Sequence, residues 1–201
     1  MSAWPNPTSP DRWRPHPARQ QRAGYQLADL RNLPDDDSRR VELVDGALQV
    51  APFPTLVHQD ICGLLWAWLR GHAPADVRAT QAVAVELSHD TSRCPDVLLC
   101  RSDVPSDRSS LRPQDVVLAV EIVSPGTRRI DRFAKPCEYA AVGIPFYWRI
   151  EQDPVHVYAY RIGDRVGPGG ERQYELVADG PDVIELTEPF DLKLPVAEIT
   201  P

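Results

Sequence analysis

Long apolar segments are absent from this sequence of 201 residues. No stretch approaches the ~20 apolar residues that a membrane-spanning helix needs, and the N-terminus lacks the apolar run of a signal peptide. These absences exclude the usual sequence signatures of membrane insertion and secretion. We therefore expect a cytoplasmic protein with no membrane partner.

Cysteines are few, and their spacing excludes the common zinc motifs. The four cysteines are Cys62, Cys94, Cys100 and Cys137. No CxxC pair occurs among them, and no zinc-site spacing is present. This pattern predicts small core thiols in a reducing compartment.

Lysine is almost missing, since only Lys135 and Lys193 are lysines among 22 basic residues. The chain uses arginine wherever a plain positive charge is enough. A lysine therefore indicates a position that needs a compact ammonium, which the planar guanidinium of arginine does not supply.

The charge balance is acidic, with a formal net charge of -7, and 42% of the residues are hydrophobic. That hydrophobic content is sufficient for one domain with a core. An acidic chain attracts nucleic acid poorly, so binding of DNA or RNA would require a local arginine cluster.

The N-terminal part divides into a tail and the start of a domain. Residues 1–23 are rich in proline and arginine without periodicity, which predicts a disordered tail before a single domain at 24–201. A short helix is expected near 25–30. Asp45-Gly46 lies between two alternating apolar runs, 41–44 and 47–50, which predicts a β-hairpin that carries Glu42 in its first arm.

A helix and two strands follow the hairpin. Thr55 is the expected N-cap of a helix that ends near Gly71. His58 falls in its first turn, where a surface or cap-region histidine is favoured over a role in a site. The alternating pattern of residues 77–87 predicts one strand. Residues 94–100 are expected to form another, with Pro95 near its start and Asp96 therefore at its N-terminal end.

The most apolar segment of the chain, 116–123, predicts a strand buried on both faces. Glu121 lies within it, and an ionised carboxylate is costly there unless a metal ion, a cation or hydrogen-bond donors compensate it. A position at an exposed strand end, paired with an arginine, fits the pattern equally well.

A helical pattern follows the break at 124–126. Its expected apolar face consists of Ile130, Phe133, Ala134, Cys137, Ala140 and Ala141. Asp131, Lys135 and Glu138 fall on another face, and Gly143 ends the helix. Pro136 lacks a backbone donor, so the helix either kinks there or begins its regular part there.

The C-terminal third is expected to be all strand. The predicted strands are 144–150, 155–160, 174–177 and 183–186. Tyr147 and Trp148 are expected in the core, in preference to a base-stacking surface. The strands from 155 onward would cover a sheet edge or form a dimer contact.

Asp96 and Glu121 are 25 residues apart, close enough for their strands to be neighbours in one sheet. Two carboxylates on adjacent strands suit a hard divalent cation, and the Ile122 backbone carbonyl could add a third ligand. Lys135 could then orient a water or stabilise developing phosphate charge, and Glu42 could reach the same site. This combination predicts hydrolysis of a phosphodiester by metal-activated water.

The order and spacing of these motifs resemble those of the Uma-two family of restriction-endonuclease-like proteins. The matching segments are 41–46, 58–59, 95–96, 120–127, 131 with 135, and 139–148. The resemblance covers residues 25–195 and places the chain in the PD-(D/E)XK nuclease superfamily.

The resemblance implies an α/β (α+β) restriction-endonuclease-like fold, in which helices flank a central mixed β-sheet and extra strands follow at the C-terminus. It also implies Mg²⁺-dependent cleavage of nucleic acid, with DNA favoured and Mn²⁺ able to substitute, and a homodimer. Asp96 and Glu121 would hold the metal, and Glu42 would be an auxiliary acid. In the superfamily, the lysine usually follows the acid by two residues, where this chain has Val123. The Uma-two family instead places its lysine on the next helix, and Lys135 matches that position.

Other residues are candidates for supporting roles. His58, Ser124 and Asp131 are candidate accessory residues. The candidate phosphate contacts are Arg93, Arg128, Arg129 and Arg132, for which a solvated surface position is an equal alternative.

Two functional alternatives stay open. A catalytically inactive module could keep the nuclease fold and bind nucleic acid or protein, as the net charge of -7 favours. Asp96, Glu121 and Lys135 could also form a purely structural ion-pair network, although such networks contribute little stability by themselves.

Overall fold

The computed structural model describes residues 24–30, 41–50, 53–167 and 170–201 of the chain. The tail expected at 1–23 lies outside the described residues. The helices are α1 (Leu27–Leu30), α2 (Leu56–His72) and α3 (Lys135–Ala141). The strands are β1 (Val41–Val44), β2 (Ala47–Val50), β3 (Val77–Gln81), β4 (Ala84–Glu86), β5 (Ser92–Arg93), β6 (Val97–Arg101), β7 (Ser110–Leu111), β8 (Val116–Ile122), β9 (Phe146–Gln152), β10 (Val155–Val166), β11 (Arg172–Gly180), β12 (Val183–Leu186) and β13 (Leu192–Pro195).

A six-stranded mixed sheet forms the centre of the structure, in the order β11-β10-β9-β8-β6-β3. Strands β8 and β9 are parallel, and the other neighbours are antiparallel. The parallel pair needs a crossover connection, and this connection contains α3. The central sheet with helices at its faces confirms the predicted fold class.

The predicted central strand is confirmed as β8, which is buried along nearly its whole length. Its alternating side chains enter two apolar clusters. Leu118, Val120 and Ile122 join the cluster that includes residues of α2, and Ala119 joins the cluster that includes Tyr139 of α3. Because side chains alternate along a strand, Glu121 faces the α3 side with Ala119.

A second sheet of five short strands, in the order β2-β1-β5-β4-β7, includes the predicted hairpin. Strands β1 and β2 pair from Val41↔Val50 to Val44↔Ala47. Asp45 and Gly46 both adopt positive φ angles, 48° and 74°, as the Asp-Gly signal predicts. The hairpin carries Glu42 toward the central sheet.

The prediction of a single strand at 77–87 is wrong, because this segment forms two strands that belong to different sheets. Strand β3 pairs with β6 in the central sheet, and β4 pairs with β5 and β7 in the second one. The chain turns at Ala82, whose φ is 51°. Alternation of side chains does not reveal such a change of sheet.

Helix α2 matches its prediction closely. Thr55 is the N-cap, and its hydroxyl accepts a hydrogen bond from the backbone N–H of His58. The buried residues Ile61, Leu65 and Trp68 pack against the central sheet. None of the helices in the described part of the chain is long and apolar enough to cross a membrane.

The prediction that one apolar face of α3 and its preceding turn packs inward is wrong. Phe133 is 67% exposed, and Cys137 and Ala141 are also exposed, whereas Asp131 and Lys135 are buried. The reason is electrostatic: buried carboxylates on the sheet attract Lys135 inward, and this interaction outweighs burial of the apolar stripe.

Pro136 marks the point where regular helix begins, which is one of the two predicted alternatives. Residues Ile130–Ala134 form a π-helical turn, in which the N–H of Lys135 donates to the carbonyl of Ile130. Pro136 is then in the first turn of α3, where its missing N–H costs little. Such π-turns are frequent at functional sites.

The C-terminal strands extend the sheet and add a small separate one. Strands β10 and β11 continue the central sheet beyond β9, and β12 pairs with β13. Tyr147 and Trp148 are 1% and 0% exposed, which confirms the prediction that both are core residues.

We predict a large and a small stability effect for two substitutions, one in the core and one in the turn before α3. Leu118→Ala leaves a cavity under β8 and should lower the free energy of unfolding by ~2–5 kcal/mol. Phe133→Ala should change it by less than about 0.5 kcal/mol, because the ring is exposed. Urea unfolding measures both effects, and a large loss of stability for Phe133→Ala would contradict an exposed Phe133 ring.

Candidate active site

Glu121 is the most enclosed acid of the site, with 1% exposure. Its Oε2 accepts a hydrogen bond from Nζ of Lys135 at 2.7 Å, and its Oε1 accepts one from the hydroxyl of Tyr139 at 2.6 Å. Both donors belong to α3, so the crossover helix supplies what the buried carboxylate of β8 requires. An exposed strand end for Glu121 is thereby excluded.

The ammonium of Lys135 lies within 4 Å of three carboxylates. Its Nζ lies 3.0 Å from Oδ1 of Asp131 and 3.9 Å from Oε1 of Glu42, in addition to Glu121. Burial lowers the pKa of this ammonium, but the neighbouring carboxylates outweigh burial and raise the pKa well above its ordinary value. Lys135 therefore stays protonated at neutral pH.

Glu42 is fixed from the side of the second sheet. Its Oε2 accepts a hydrogen bond from Arg93 at 3.0 Å, and its Oε1 accepts one from the N–H of Cys94 at 3.0 Å. Burial raises the pKa of Glu42, but Lys135, the Cys94 N–H and Arg93 together outweigh burial and lower it. The carboxylate is thus ionised and held in one orientation.

Arg93 is a buried connector with 2% exposure. Besides Glu42, its guanidinium donates two hydrogen bonds to Glu138 of α3, at 2.6 and 2.7 Å. These bonds join β5, β1 and α3. Arg93 therefore lies beside the site with its donors directed at protein carboxylates.

Asp96 precedes β6 and is placed by the backbone of β8. Its N–H donates to the carbonyl of Val120 at 3.0 Å, and its Oδ2 accepts from the N–H of Ile122 at 2.8 Å. Strands β6 and β8 are adjacent and antiparallel, so Asp96 and Glu121 come from neighbouring strands as the spacing predicts.

His58 is buried with 7% exposure, which corrects the favoured surface position. Its Nε2 lies 3.3 Å from Oδ2 of Asp96, and its Nδ1 lies 3.5 Å from Sγ of Cys62. The prediction of a cap-region residue holds for its backbone, which bonds to Thr55. Periodicity places His58 at the helix start but does not show that the side chain turns inward.

One cleft of about 850 Å³ connects these side chains with solvent. The acidic and basic residues that line it are Glu42, His58, Asp96, Glu121, Asp131 and Lys135. Among the described lining residues, four carboxylates thus face one ammonium. Burial raises the pKa of Asp131 above its ordinary value, and Lys135 offsets only part of that rise.

The remaining predicted residues are Ser124 and three arginines, and none of these arginines is among the described residues that line the cleft. Ser124 lines it and exchanges a hydrogen bond of 2.7 Å with the hydroxyl of Thr127. Arg128 and Arg129 are exposed beside the cleft-lining Thr127 and Ile130. Arg132 instead donates two hydrogen bonds of 2.9 Å to Glu151.

Sequence reasoning did not identify Tyr139, Glu138 and Cys62 as members of this arrangement. Tyr139 follows Lys135 by four residues, and Cys62 follows His58 by four, so each shares a helix face with its neighbour. This four-residue spacing could have indicated that Tyr139 and Cys62 belong to the site. Nothing in the sequence pattern linked Glu138 with Arg93.

The donor set suits a cation from a chemical viewpoint. Carboxylate oxygens are what Mg²⁺ and Mn²⁺ prefer, and the cleft has more buried negative than positive charge. A second set, His58, Cys62 and Asp96, offers one nitrogen, one sulfur and one oxygen atom that all lie within 4.8 Å of one another.

We predict that Glu42→Gln reduces stability most at neutral pH. The pKa of Glu42 is lowered by folding from an ordinary value of 4.5, so its ionised form stabilises the fold above that pH. The contribution is lost as pH falls through the lower, folded-state value. Urea midpoints of wild type and variant should converge in acid; exposed Glu198→Gln is the control, and a constant difference would contradict this mechanism.

Comparisons with known proteins agree with this architecture. Residues 27–197 match the model of the Uma2 family, which is described as "Putative restriction endonuclease". A crystal structure from Anabaena variabilis ATCC 29413, described as "a putative nuclease belonging to DUF820", has the same fold. The TM-score is 0.65 and the identity 19%, over 87% of this chain and 96% of that one. No curated protein matches the sequence. Because the family model spans most of the chain, the protein belongs to the Uma2 family.

Proposed function

We propose that the protein is a metal-dependent endonuclease that hydrolyses phosphodiester bonds of nucleic acid, with DNA as the favoured substrate. The observation that carries this proposal is the meeting of Asp96, Glu121 and Lys135 in one solvent-connected cleft. They come from three separate elements, and two of them are acids. The family description supports the same activity.

In this proposal, Asp96 and Glu121 hold Mg²⁺, or Mn²⁺ in its place, and the Ile122 carbonyl is a further ligand. Oxygen donors of this kind suit both ions. When bound, such an ion makes water acidic enough to act as a nucleophile and polarises the phosphate.

In the same proposal, other residues of the chain orient the acidic ligands and compensate negative charge. Lys135 is protonated, and its ammonium can donate to a phosphate oxygen as negative charge develops there. Tyr139 keeps Glu121 oriented through their hydrogen bond. Glu42, held by Arg93, is the auxiliary acid beside Lys135.

The supporting roles are assigned by position. His58, Ser124 and Asp131 line the cleft and are accessory residues. We assign phosphate contacts to the exposed Arg128 and Arg129. Because Arg93 and Arg132 already donate to carboxylates, we assign them to positioning.

The net charge of -7 favours a second candidate, an inactive module that binds nucleic acid or protein. A cytoplasmic location and a homodimer stay predictions from the sequence and its resemblance. The activity of the wild-type protein separates the two candidate functions.

We predict that Asp96→Asn abolishes both Mg²⁺ binding and cleavage. The amide retains an oxygen that can accept from Ile122 but loses the negative charge that a cation needs. Calorimetry with Mg²⁺ and Mn²⁺, together with a cleavage assay on plasmid DNA, measures the two effects.

Asp107→Asn is the matched control, since Asp107 is exposed in the loop after β6. It should leave both signals unchanged. If Asp96→Asn bound and cleaved like wild type, the assignment would be wrong. Wild-type protein that bound DNA without cleaving it would favour the binding module.

We predict that Lys135→Met lowers the cleavage rate about 10²–10³-fold, as loss of a charge-stabilising donor typically does. Lys193→Met is the control, because Lys193 is the other lysine of the chain and pairs with Glu185 on the surface. It should cleave at the wild-type rate.

Removing the ammonium also leaves buried acids without their partner, which costs ~3–5 kcal/mol. Urea unfolding of both lysine variants must therefore accompany the assay, at a temperature where each is folded. Equal cleavage by folded Lys135→Met and wild type would remove Lys135 from the mechanism.

A further inference from the structure

We propose that His58, Cys62 and Asp96 form a binding site for Zn²⁺, and that occupation of this site competes with the hard cation for Asp96. The competition rests on the proposed function, whereas the zinc site does not. The geometry that points to it is the approach of three different donor atoms at the floor of the cleft.

Helix α2 supplies two of the ligands. His58 and Cys62 are four residues apart, so their side chains lie on one face of the helix. Their closest atoms, Nδ1 and Sγ, are 3.5 Å apart. The Thr55 cap fixes the first turn, so the backbone that carries His58 is already ordered.

Asp96 supplies the third ligand from the edge of the central sheet. Its Oδ2 lies 3.3 Å from Nε2 of His58. The imidazole therefore lies between a thiol and a carboxylate, and one of its nitrogens is enough for a metal ligand. All three ligand atoms lie within 4.8 Å of one another, so bonds of roughly 2.0–2.3 Å to one ion require them to approach by about an ångström.

The chemistry of the donors selects the ion. Mg²⁺ takes oxygen ligands and has little affinity for sulfur, whereas thiolate and imidazole favour Zn²⁺. Three protein ligands leave the fourth tetrahedral position to water. The cleft supplies that water and an access route, since all three residues line it.

The sequence pattern did not indicate this site, because Cys62 has no cysteine partner at zinc spacing. Two of its donors come from one helix, and the third, Asp96, lies 34 residues after Cys62 and directly before β6. Only folding brings them together. Asp96 belongs to both donor sets, and two divalent cations on one carboxylate repel each other, so occupation by one ion should disfavour the other.

Co²⁺ is the direct probe, because it replaces Zn²⁺ and absorbs in the near ultraviolet when a thiolate binds it. Titration of the full chain under reducing conditions should give one thiolate-to-Co²⁺ band, which stoichiometric Zn²⁺ removes. Cys62→Ser should abolish the band. Cys137→Ser, which removes the exposed thiol, should leave it unchanged and is the matched control.

His58→Asn provides a second, independent test if Cys62→Ser does not fold, because it keeps the backbone N–H that bonds to Thr55. It should weaken or abolish the band as well. A band that persists in a folded Cys62 or His58 variant, or one that disappears in Cys137→Ser, would overturn the proposal.

The competition has its own measurement. Zn²⁺ should lower the affinity for Mg²⁺ in calorimetry of wild-type protein, and Cys62→Ser should relieve this effect. A Co²⁺ band in a protein without nuclease activity would leave the zinc site standing and refute the proposed function. Nuclease activity without a band would do the opposite.

Discussion

The ion pair between Lys135 and Glu121 is the interaction on which the arrangement of the site depends. A carboxylate with 1% exposure in the middle of a sheet is costly without a partner, and the ammonium 2.7 Å away supplies it. The same ammonium lies near Asp131 and Glu42. The pair thereby decides which face of α3 turns inward, at the cost of leaving Phe133 in solvent.

The topology explains why these residues meet. Strands β8 and β9 are parallel, so the chain must cross over between them, and the helix in that crossover returns over the end of β8 where Glu121 lies. Strand β6 pairs with β8 on the other side and brings Asp96. The hairpin and β5 then enclose the site through Glu42 and Arg93. Each ligand candidate is therefore attached to a different, packed element.

Much of this arrangement could be predicted from the sequence, and the failures have physical causes. The strand around Glu121, the Asp-Gly hairpin and the Thr55 cap follow from local patterns. The facing of α3 could not, because buried charge outweighed apolar periodicity. The inward turn of His58 depended on Asp96, and the division of 77–87 depended on pairing with two sheets. Such interactions between distant segments leave no periodic signal.

The charge of the cleft also constrains how any polyanion can approach it. Four carboxylates and one ammonium line the cleft among the described residues, in a chain of net charge -7. A phosphodiester is repelled by that field until the carboxylates are compensated, because like charges in a partly desolvated cleft interact strongly. Compensation of these carboxylates by a cation would therefore favour the approach of a polyanion. The exposed Arg128 and Arg129 adjoin the cleft-lining Thr127 and Ile130 in sequence, and their positive charge opposes the negative field of the cleft.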